Sequence, residues 1–227
     1  MNKFVIKIAE LCIEINSKYD YTFMRCKDYI TDNNKSDFSI TCNDKEIDEY
    51  SKENKREVGE FISIYEKIAD ELYKYNRILV HGAAISYNDS AYLFLAPSGV
   101  GKTTHINLLM SNYKGISIIN GDKPIIDDKG QVYGTPWSGK EKYNNNVSYK
   151  LASIILLERN NKNSIEKVNK EEYLSNILNQ VYKNDKYDVS LDIIDKAFKD
   201  IPVYKLSCRA DDMAAKLTYD EVLNKWN

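Results

Sequence analysis

The most constraining feature of the sequence is a short apolar run that leads directly into a glycine-bearing loop. Residues 91–95 are apolar, and the loop from Ala96 to Gly101 follows without a break. A continuous apolar run of this length is typical of a strand buried on both faces of a sheet. The spacing of the next apolar residues predicts a helix from Thr103 to about Ser111. A buried strand, a tight loop and a helix in this order favour an α/β fold.

The loop and the start of that helix match the pattern G-x-x-x-x-G-K-[ST], with Ala96 in place of the first glycine. Glycines permit turn conformations in which successive N–H groups converge on phosphate oxygens, and the helix N-terminus adds partial positive charge. Lys102 is expected to reach the β- and γ-phosphates and Thr103 to hold Mg²⁺. The alternative is a chance glycine loop before a helix. The pattern predicts nucleotide binding by Ser98, Gly99, Val100, Gly101, Lys102, Thr103 and Thr104.

A candidate carboxylate follows the next predicted strand. Residues 115–119 form this strand, which ends at Asn120-Gly121-Asp122. If the strand lies beside 91–95 in a parallel sheet, Asp122 leaves the sheet at the same carboxyl edge as the loop, where open sheets bind ligands. Asp122 would there hold Mg²⁺ or act as a base. An ordinary turn is the alternative, because Asn-Gly-Asp is turn-rich chemistry.

Composition excludes several classes of protein. The chain has 227 residues, a net charge of −2 and 43% hydrophobic residues, which argues against a generally basic nucleic-acid binder and against disorder. It has no run of about 18 apolar residues and no uncharged N-terminal stretch, so we expect a cytoplasmic protein without a membrane span. Four cysteines form no C-x-x-C pair and are expected to be free, partly buried thiols.

The rest of the chain divides into two predicted parts. Residues 1–57 are expected to form a small N-terminal β-rich region, with an antiparallel sheet over 3–42 that includes Tyr21–Met24 and Phe38–Thr41. Residues 43–57 are polar and make a surface connection or the charged start of a helix. A helix from Val58 to about Asn76 begins the core, 58–227. Within it we expect a strand at 151–157, a helix capped by Asn169, a helix near 188–199, a strand at 202–206 and a last helix capped by Asp211.

Two further segments have both a functional and a structural interpretation. His81 lies between the apolar runs 78–80 and 83–85, where a histidine is either part of a site or a structural residue. Residues 133–141 place Trp137 between two glycines and before Lys140 and Glu141. This segment is either a lid that faces the substrate or a surface hairpin with a half-buried indole.

Three stretches together give the sequence a resemblance to a known family. His81-Gly82-Ala83, the loop at 98–103 and a strand that ends in Asp122 resemble the HPr kinase/phosphorylase family. Small bacterial HPr-kinase-like proteins are the closer match, because they carry stretches similar to Asn120–Pro124 and Gly134–Lys140. The resemblance covers roughly residues 77–220. It implies a mixed sheet flanked by helices, similar to the nucleotide domain of phosphoenolpyruvate carboxykinases.

The same resemblance implies a function. It predicts ATP-dependent phosphorylation of a serine hydroxyl, with ATP and Mg²⁺ as cofactors and a homo-oligomer of unknown order. Asp122 would be the base near Mg²⁺, with His81 beside it and Lys102 on the phosphates, and we expect Lys140 to close over the γ-phosphate. Gly121 replaces the first of two aspartates usual in the family, so the acceptor stays open. A kinase for a small hydroxylated metabolite and a nucleotide-binding regulator without transfer are the alternatives.

Overall fold

The computed structural model describes residues 1–33, 35–182 and 186–226. Its first sheet contains β1 (Asn2–Ile8), β2 (Leu11–Ser17) and β3 (Phe38–Thr41). β1 and β2 form an antiparallel hairpin, but β3 lies parallel to β2. The prediction of an antiparallel sheet is therefore wrong for its third strand, because residues 18–37 provide the long crossover that a parallel pair needs.

Part of that crossover is a helix where the sequence predicts a strand. Tyr21–Met24 lies within α1 (Asp20–Cys26). The buried carboxylate of Glu60 accepts hydrogen bonds from two backbone N–H groups just before this helix and from the Thr22 hydroxyl. These bonds join segments about 40 residues apart, and they outweigh the β propensity of the aromatic and β-branched residues.

The polar stretch after β3 forms a second helix, α2 (Asp44–Tyr50), which begins with a capping box between Asn43 and Glu46. The long helix predicted from Val58 is confirmed as α3 (Arg56–Leu72). The apolar face of α3 packs on the first sheet and shares one core with it. The boundary between 57 and 58 stays a prediction.

A larger mixed sheet forms the centre of the molecule. Its order is β4-β8-β9-β10-β6-β5-β7, and β12 pairs with both β10 and β11. β6, β10 and β12 are parallel neighbours, whereas β5 is antiparallel to β6 and to β7. The strands are β4 (Arg77–Leu79), β5 (Ala83–Tyr87), β6 (Ser90–Leu95), β7 (Ser117–Asn120), β8 (Ile125–Asp127), β9 (Gln131–Tyr133), β10 (Ser148–Arg159), β11 (Ser164–Val168) and β12 (Val203–Cys208).

Helices cover both faces of this sheet. On one face lie α4 (Lys102–Asn112) and α7 (Asp212–Thr218), and on the other lie α5 (Leu174–Leu178) and α6 (Tyr187–Ala197). Alternate residues of β6 belong to the two opposite cores, so β6 is buried on both faces as its apolar run predicts. The chain is a mixed α/β protein.

The other local predictions for the second half have clear outcomes. The predicted strands at 151–157 and 202–206 are β10 and β12, and the helix near 188–199 is α6. Asn169 caps a short 3₁₀ turn that precedes α5, and Asp211 caps α7. All four cysteines are free and buried. In the described ranges, no helix has both the length and the apolar character needed to cross a membrane.

His105 of α4 forms a buried hydrogen bond with Thr218 of α7. Its Nε2 lies 2.9 Å from the Thr218 hydroxyl oxygen, and that hydroxyl donates to the Ala214 carbonyl. The hydroxyl therefore accepts the Nε2–H, while Nδ1 has no partner among the described residues. Burial lowers the pKa of His105 to about 4, so this side chain is neutral and structural at pH 7.

This depressed pKa predicts a pH dependence of stability. Between pH 6.5 and 4 the unfolded chain binds a proton at residue 105 that the native protein does not, so stability falls as pH falls, by about 3 kcal/mol. In His105→Gln this contribution is absent. Urea unfolding of the wild type and of His105→Gln at pH 7 and at pH 4 measures it. The difference in unfolding free energy between the two proteins should change between the two pH values. An equal loss in both proteins would contradict the assignment.

Candidate functional site

The loop between β6 and α4 has an open backbone suited to an anion. Gly99 and Gly101 have φ of 79° and 120°, a region that other residues rarely adopt. Within the described ranges, the N–H groups of Ser98, Gly99 and Gly101 have no hydrogen-bond acceptor. These donors lie just before the N-terminus of α4, whose first-turn N–H groups also lack intrahelical partners. The loop therefore offers several free donors and a positive helix end to one ligand.

Lys102 is held close to this loop. The side chain is largely buried, and Nζ donates to the Ala96 carbonyl at 2.6 Å. Burial lowers the pKa of Lys102, and the negative charge of Asp122 opposes that shift. The ammonium is thus only partly hydrated, which strengthens its attraction for an incoming anion.

Asp122 leaves the sheet at the same edge as the loop. β7 and β6 run in the same direction, but β5 lies between them. The prediction that the two strands are direct neighbours is therefore wrong, while the shared carboxyl edge is confirmed. Because β5 runs the opposite way, its first residues meet this edge as well. Gly82 permits the start of β5 to lie close to the end of β6, since a Cβ at residue 82 would lie 2.8 Å from the Leu95 side chain.

The antiparallel β5 places His81 beside Asp122. His81 Nε2 lies 3.5 Å from Asp122 Oδ1, and Nδ1 lies 3.2 Å from the Gln180 amide oxygen. Lys123 Nζ contacts the other carboxylate oxygen at 2.5 Å. Burial is the largest cause that lowers the pKa of His81, followed by the charge of Lys102. His81 is therefore neutral at pH 7, and its Nε2 faces the carboxylate.

Asn120 connects this strand end to the segment that contains Trp137. Its buried side-chain oxygen accepts from the N–H groups of Asp122 and Lys123, at 2.9 and 2.6 Å. Its amide nitrogen donates to the carbonyls of Thr135 and Trp137, at 2.9 and 3.2 Å. The Asn120 side chain thus fixes the position of the Asn120–Pro124 stretch relative to the Gly134–Lys140 stretch.

The segment around Trp137 combines a buried part and an exposed part. Trp137 is only 1% exposed and packs against Tyr65, so neither a lid formed by the indole nor a half-buried surface position describes it. Lys140 follows in an exposed turn. Arg25 of α1 donates to the Ser138 hydroxyl at 3.2 Å and ties the first part of the chain to this turn.

Two cavities adjoin the edge, one lined by a residue that contacts His81 and the other by a residue that contacts Asp122. The inner pocket has a volume of about 410 Å³ and is lined by residues that include Ala96, Glu158, Arg159, Tyr173, Asn179 and Gln180. The basic groove has a volume of about 380 Å³ and is lined by residues that include Arg25, Phe61, Lys123, Gly139, Lys140 and Lys142. Gln180 lines the inner pocket and contacts His81, whereas Lys123 lines the basic groove and contacts Asp122.

The edge also has donors suited to Mg²⁺. In the described part of the chain, no cluster of three or more His, Cys, Asp or Glu side chains could hold a metal ion. Magnesium in nucleotide sites usually takes only one or two protein oxygens, with phosphates and waters as its other ligands. The Thr103 hydroxyl in the first turn of α4 and the Asp122 carboxylate are such hard oxygen donors. The residues fit the ion, and its binding stays a prediction.

Comparison with known proteins leaves the family undecided. The chain matches no model of a protein family, and no curated protein has significant similarity to it. The resemblance to HPr kinase/phosphorylase proteins therefore rests on the motif residues.

Several residues of this edge were not identified from the sequence. Lys123 and Asn120 both lie within the Asn120–Pro124 stretch, so the motif itself contained the signal. Gln180 and Arg159 had no such signal. Arg159 donates to the Gly99 carbonyl at 3.2 Å from 60 residues away, and only the order of the strands brings the two together.

Asn120 provides a test of this arrangement. Asn120→Ala removes the acceptor of two N–H groups and a donor to two carbonyls, which should cost about 2–4 kcal/mol of unfolding free energy. The matched control is Asn145→Ala, since exposed Asn145 also donates to a backbone carbonyl, that of Ile118. Urea unfolding measures both. A loss no larger for Asn120→Ala than for the control would show that the bridge is dispensable.

Proposed function

We propose that this protein is an ATP-dependent kinase of the HPr-kinase-like type, which transfers the γ-phosphate to a serine hydroxyl of a protein or peptide. One observation carries the proposal. The carboxylate of Asp122 and the buried lysine of the phosphate loop interact electrostatically at one sheet edge, and His81 contacts that carboxylate. Phosphoryl transfer requires mainly such positioning and charge stabilisation. We also propose that the fold is that of the phosphoenolpyruvate-carboxykinase-like P-loop proteins.

The phosphate loop binds the donor in this proposal. Free N–H groups at Ser98, Gly99 and Gly101 donate to the β- and γ-phosphates, together with Lys102 and the α4 N-terminus. Mg²⁺, when bound, neutralises charge across these phosphates, and Thr103 and Asp122 are the residues that would hold it. The inner pocket adjoins the loop at Ala96 and receives the nucleoside, since its volume suits a small ligand.

Asp122 and His81 take up the proton of the acceptor hydroxyl. The hydroxyl oxygen attacks the γ-phosphorus, the bond from that phosphorus to the bridging oxygen breaks, and ADP leaves. The hydroxyl proton passes to the Asp122–His81 pair, whose facing atoms are 3.5 Å apart. The lowered pKa of His81 keeps the imidazole neutral at pH 7. In the tautomer whose Nδ1–H donates to the Gln180 amide oxygen, Nε2 is free to accept the proton.

A nucleotide-gated regulator without transfer is the second candidate, and one contact favours it. Lys123 pairs with Asp122 and leaves the carboxylate less available to a substrate. Transfer requires this ion pair to open when the donor and acceptor bind. In a regulator it would persist, and a change at Asp122 would leave every nucleotide-dependent property intact.

Lys102→Ala tests the donor site. We expect ATP turnover to fall by roughly 10²–10³-fold, because one preorganised cation at the developing charge is lost. Thermal unfolding should show that the variant remains folded, and Lys199→Ala, a change at an exposed lysine, is the matched control. Turnover like that of the wild type in Lys102→Ala would refute the phosphate-loop assignment.

Asp122→Asn separates the two candidates. We expect the variant to bind ATP and to lose transfer of label from γ-labelled ATP to proteins of a cell extract, because an amide cannot take up the proton. Asp89→Asn is the control, since Asp89 lies in the hairpin turn at the opposite end of β5. If Asp122→Asn transfers label as well as the control does, Asp122 is a turn residue without a part in transfer. If the unmodified chain binds ATP but transfers no label, the kinase proposal fails and the regulator is favoured.

A further inference from the structure

The basic groove has more positive charge than ATP binding explains, because Lys140 is its only lining cation that the sequence assigns to the γ-phosphate. Its lining includes Arg25, Lys123, Lys140 and Lys142, and none of the described residues that line it carries a carboxylate. Lys123 pairs with Asp122, but the other three cations form no ion pair with a described carboxylate. Glu141 adjoins the groove at the turn, but Glu141 and Asp122 together do not offset four cations, so the local charge of the groove is positive.

Apolar and aromatic side chains form the floor of this groove. Phe61 and Tyr65 of α3 lie there together with Trp137. The Arg25 guanidinium lies 5.4 Å from the centre of the Phe61 ring, and its Nε is buried without a hydrogen-bond partner in the described part of the chain. The groove thus combines an apolar floor, cationic walls and one buried donor that is not used.

The groove reaches the proposed reaction centre. Gly139 lines it, and a Cβ at Gly139 would lie 4.0 Å from the Asp122 Cβ. Lys123 links the groove to the Asp122 carboxylate. A chain held on the apolar floor could therefore place a side-chain hydroxyl next to Asp122.

We propose that the basic groove docks an acidic polypeptide segment and presents its serine to Asp122. This inference rests on the proposed function, because it names the class of acceptor for the same site. An apolar floor between cationic side chains fits a segment with an apolar side chain and acidic side chains beside it. The groove opens to solvent between α1, α3 and the 137–142 turn, which suits a chain that extends beyond it. Single-stranded nucleic acid binds such cationic surfaces by stacking its bases on open aromatic faces. The rings of Phe61, Tyr65 and Trp137 are buried, so they offer bases no such face.

Binding of defined peptide pools tests this inference without nucleotide. The probes are fluorescein-labelled nonapeptides with a central serine, whose other positions are drawn from Asp, Glu and Leu in one pool and from Lys, Arg and Leu in the other. Fluorescence anisotropy with the full chain should show at least roughly tenfold tighter binding of the acidic pool at low salt, and raised salt should weaken it. Equal binding of the two pools would overturn the docking site.

Charge variants locate the binding. Lys142→Gln should weaken binding of the acidic pool about two- to fivefold, as expected for a single exposed charge pair, and Arg25→Gln at a half-buried cation should weaken it at least as much. Lys142 is exposed, so its variant should fold normally even if Arg25→Gln is destabilised. Lys199→Gln, at an exposed lysine outside the groove, should bind like the wild type. Unchanged binding in Lys142→Gln would place the peptide elsewhere and overturn the proposal.

Competitors decide between acceptors. The competitors are a nonamer of single-stranded RNA and free serine. If either displaces the acidic pool at equal concentration, the groove binds a nucleic acid or a metabolite, respectively, and the polypeptide proposal is overturned. Self-association that is lost in Lys142→Gln would assign the groove to a second copy. Nucleotide binding is measured separately on the same preparations. Peptide selectivity without ATP binding refutes the kinase alone, and ATP binding without selectivity refutes the docking site alone.

Discussion

Burial of β6 on both faces is the constraint on which the rest of the structure depends. Alternate side chains of this strand enter two different cores, so it cannot slip in register or move to the sheet edge without exposing one of them. Its position determines where the phosphate loop emerges. Its neighbours are placed by the same constraint, with β10 parallel on one side and the antiparallel β5 on the other. The edge at which these strands meet contains every group that we assign to the donor and the proton.

A second set of contacts gives that edge its detailed shape. The Asn120 side chain satisfies donors and acceptors from two loops at once, and a buried network of this kind is stabilising only while it is complete. Gly82 allows the start of β5 to approach the end of β6. These short-range contacts hold Asp122 and His81 at a defined separation, which a site that works by positioning requires.

The electrostatics of the edge are those of one carboxylate among cations. Asp122 contacts Lys123 and His81 and influences the pKa of Lys102, while further cations line the groove behind it. Such an arrangement favours anionic ligands on both sides of the carboxylate. A phosphate donor on the loop side and an acidic acceptor on the groove side would both be drawn to the same point.

The sequence alone determined the strongly local features. The apolar run at 91–95 indicated a doubly buried strand, and the glycines at 99 and 101 indicated a loop with positive φ, because both depend on a few adjacent residues. The spacing of apolar residues by three and four predicted α3 equally clearly. Only the tertiary structure decided that Tyr21–Met24 is helical, that β5 separates β6 from β7, and that Gln180 reaches His81. These outcomes depend on hydrogen bonds, strand pairing and burial between segments tens of residues apart, whose free energies are absent from any local pattern.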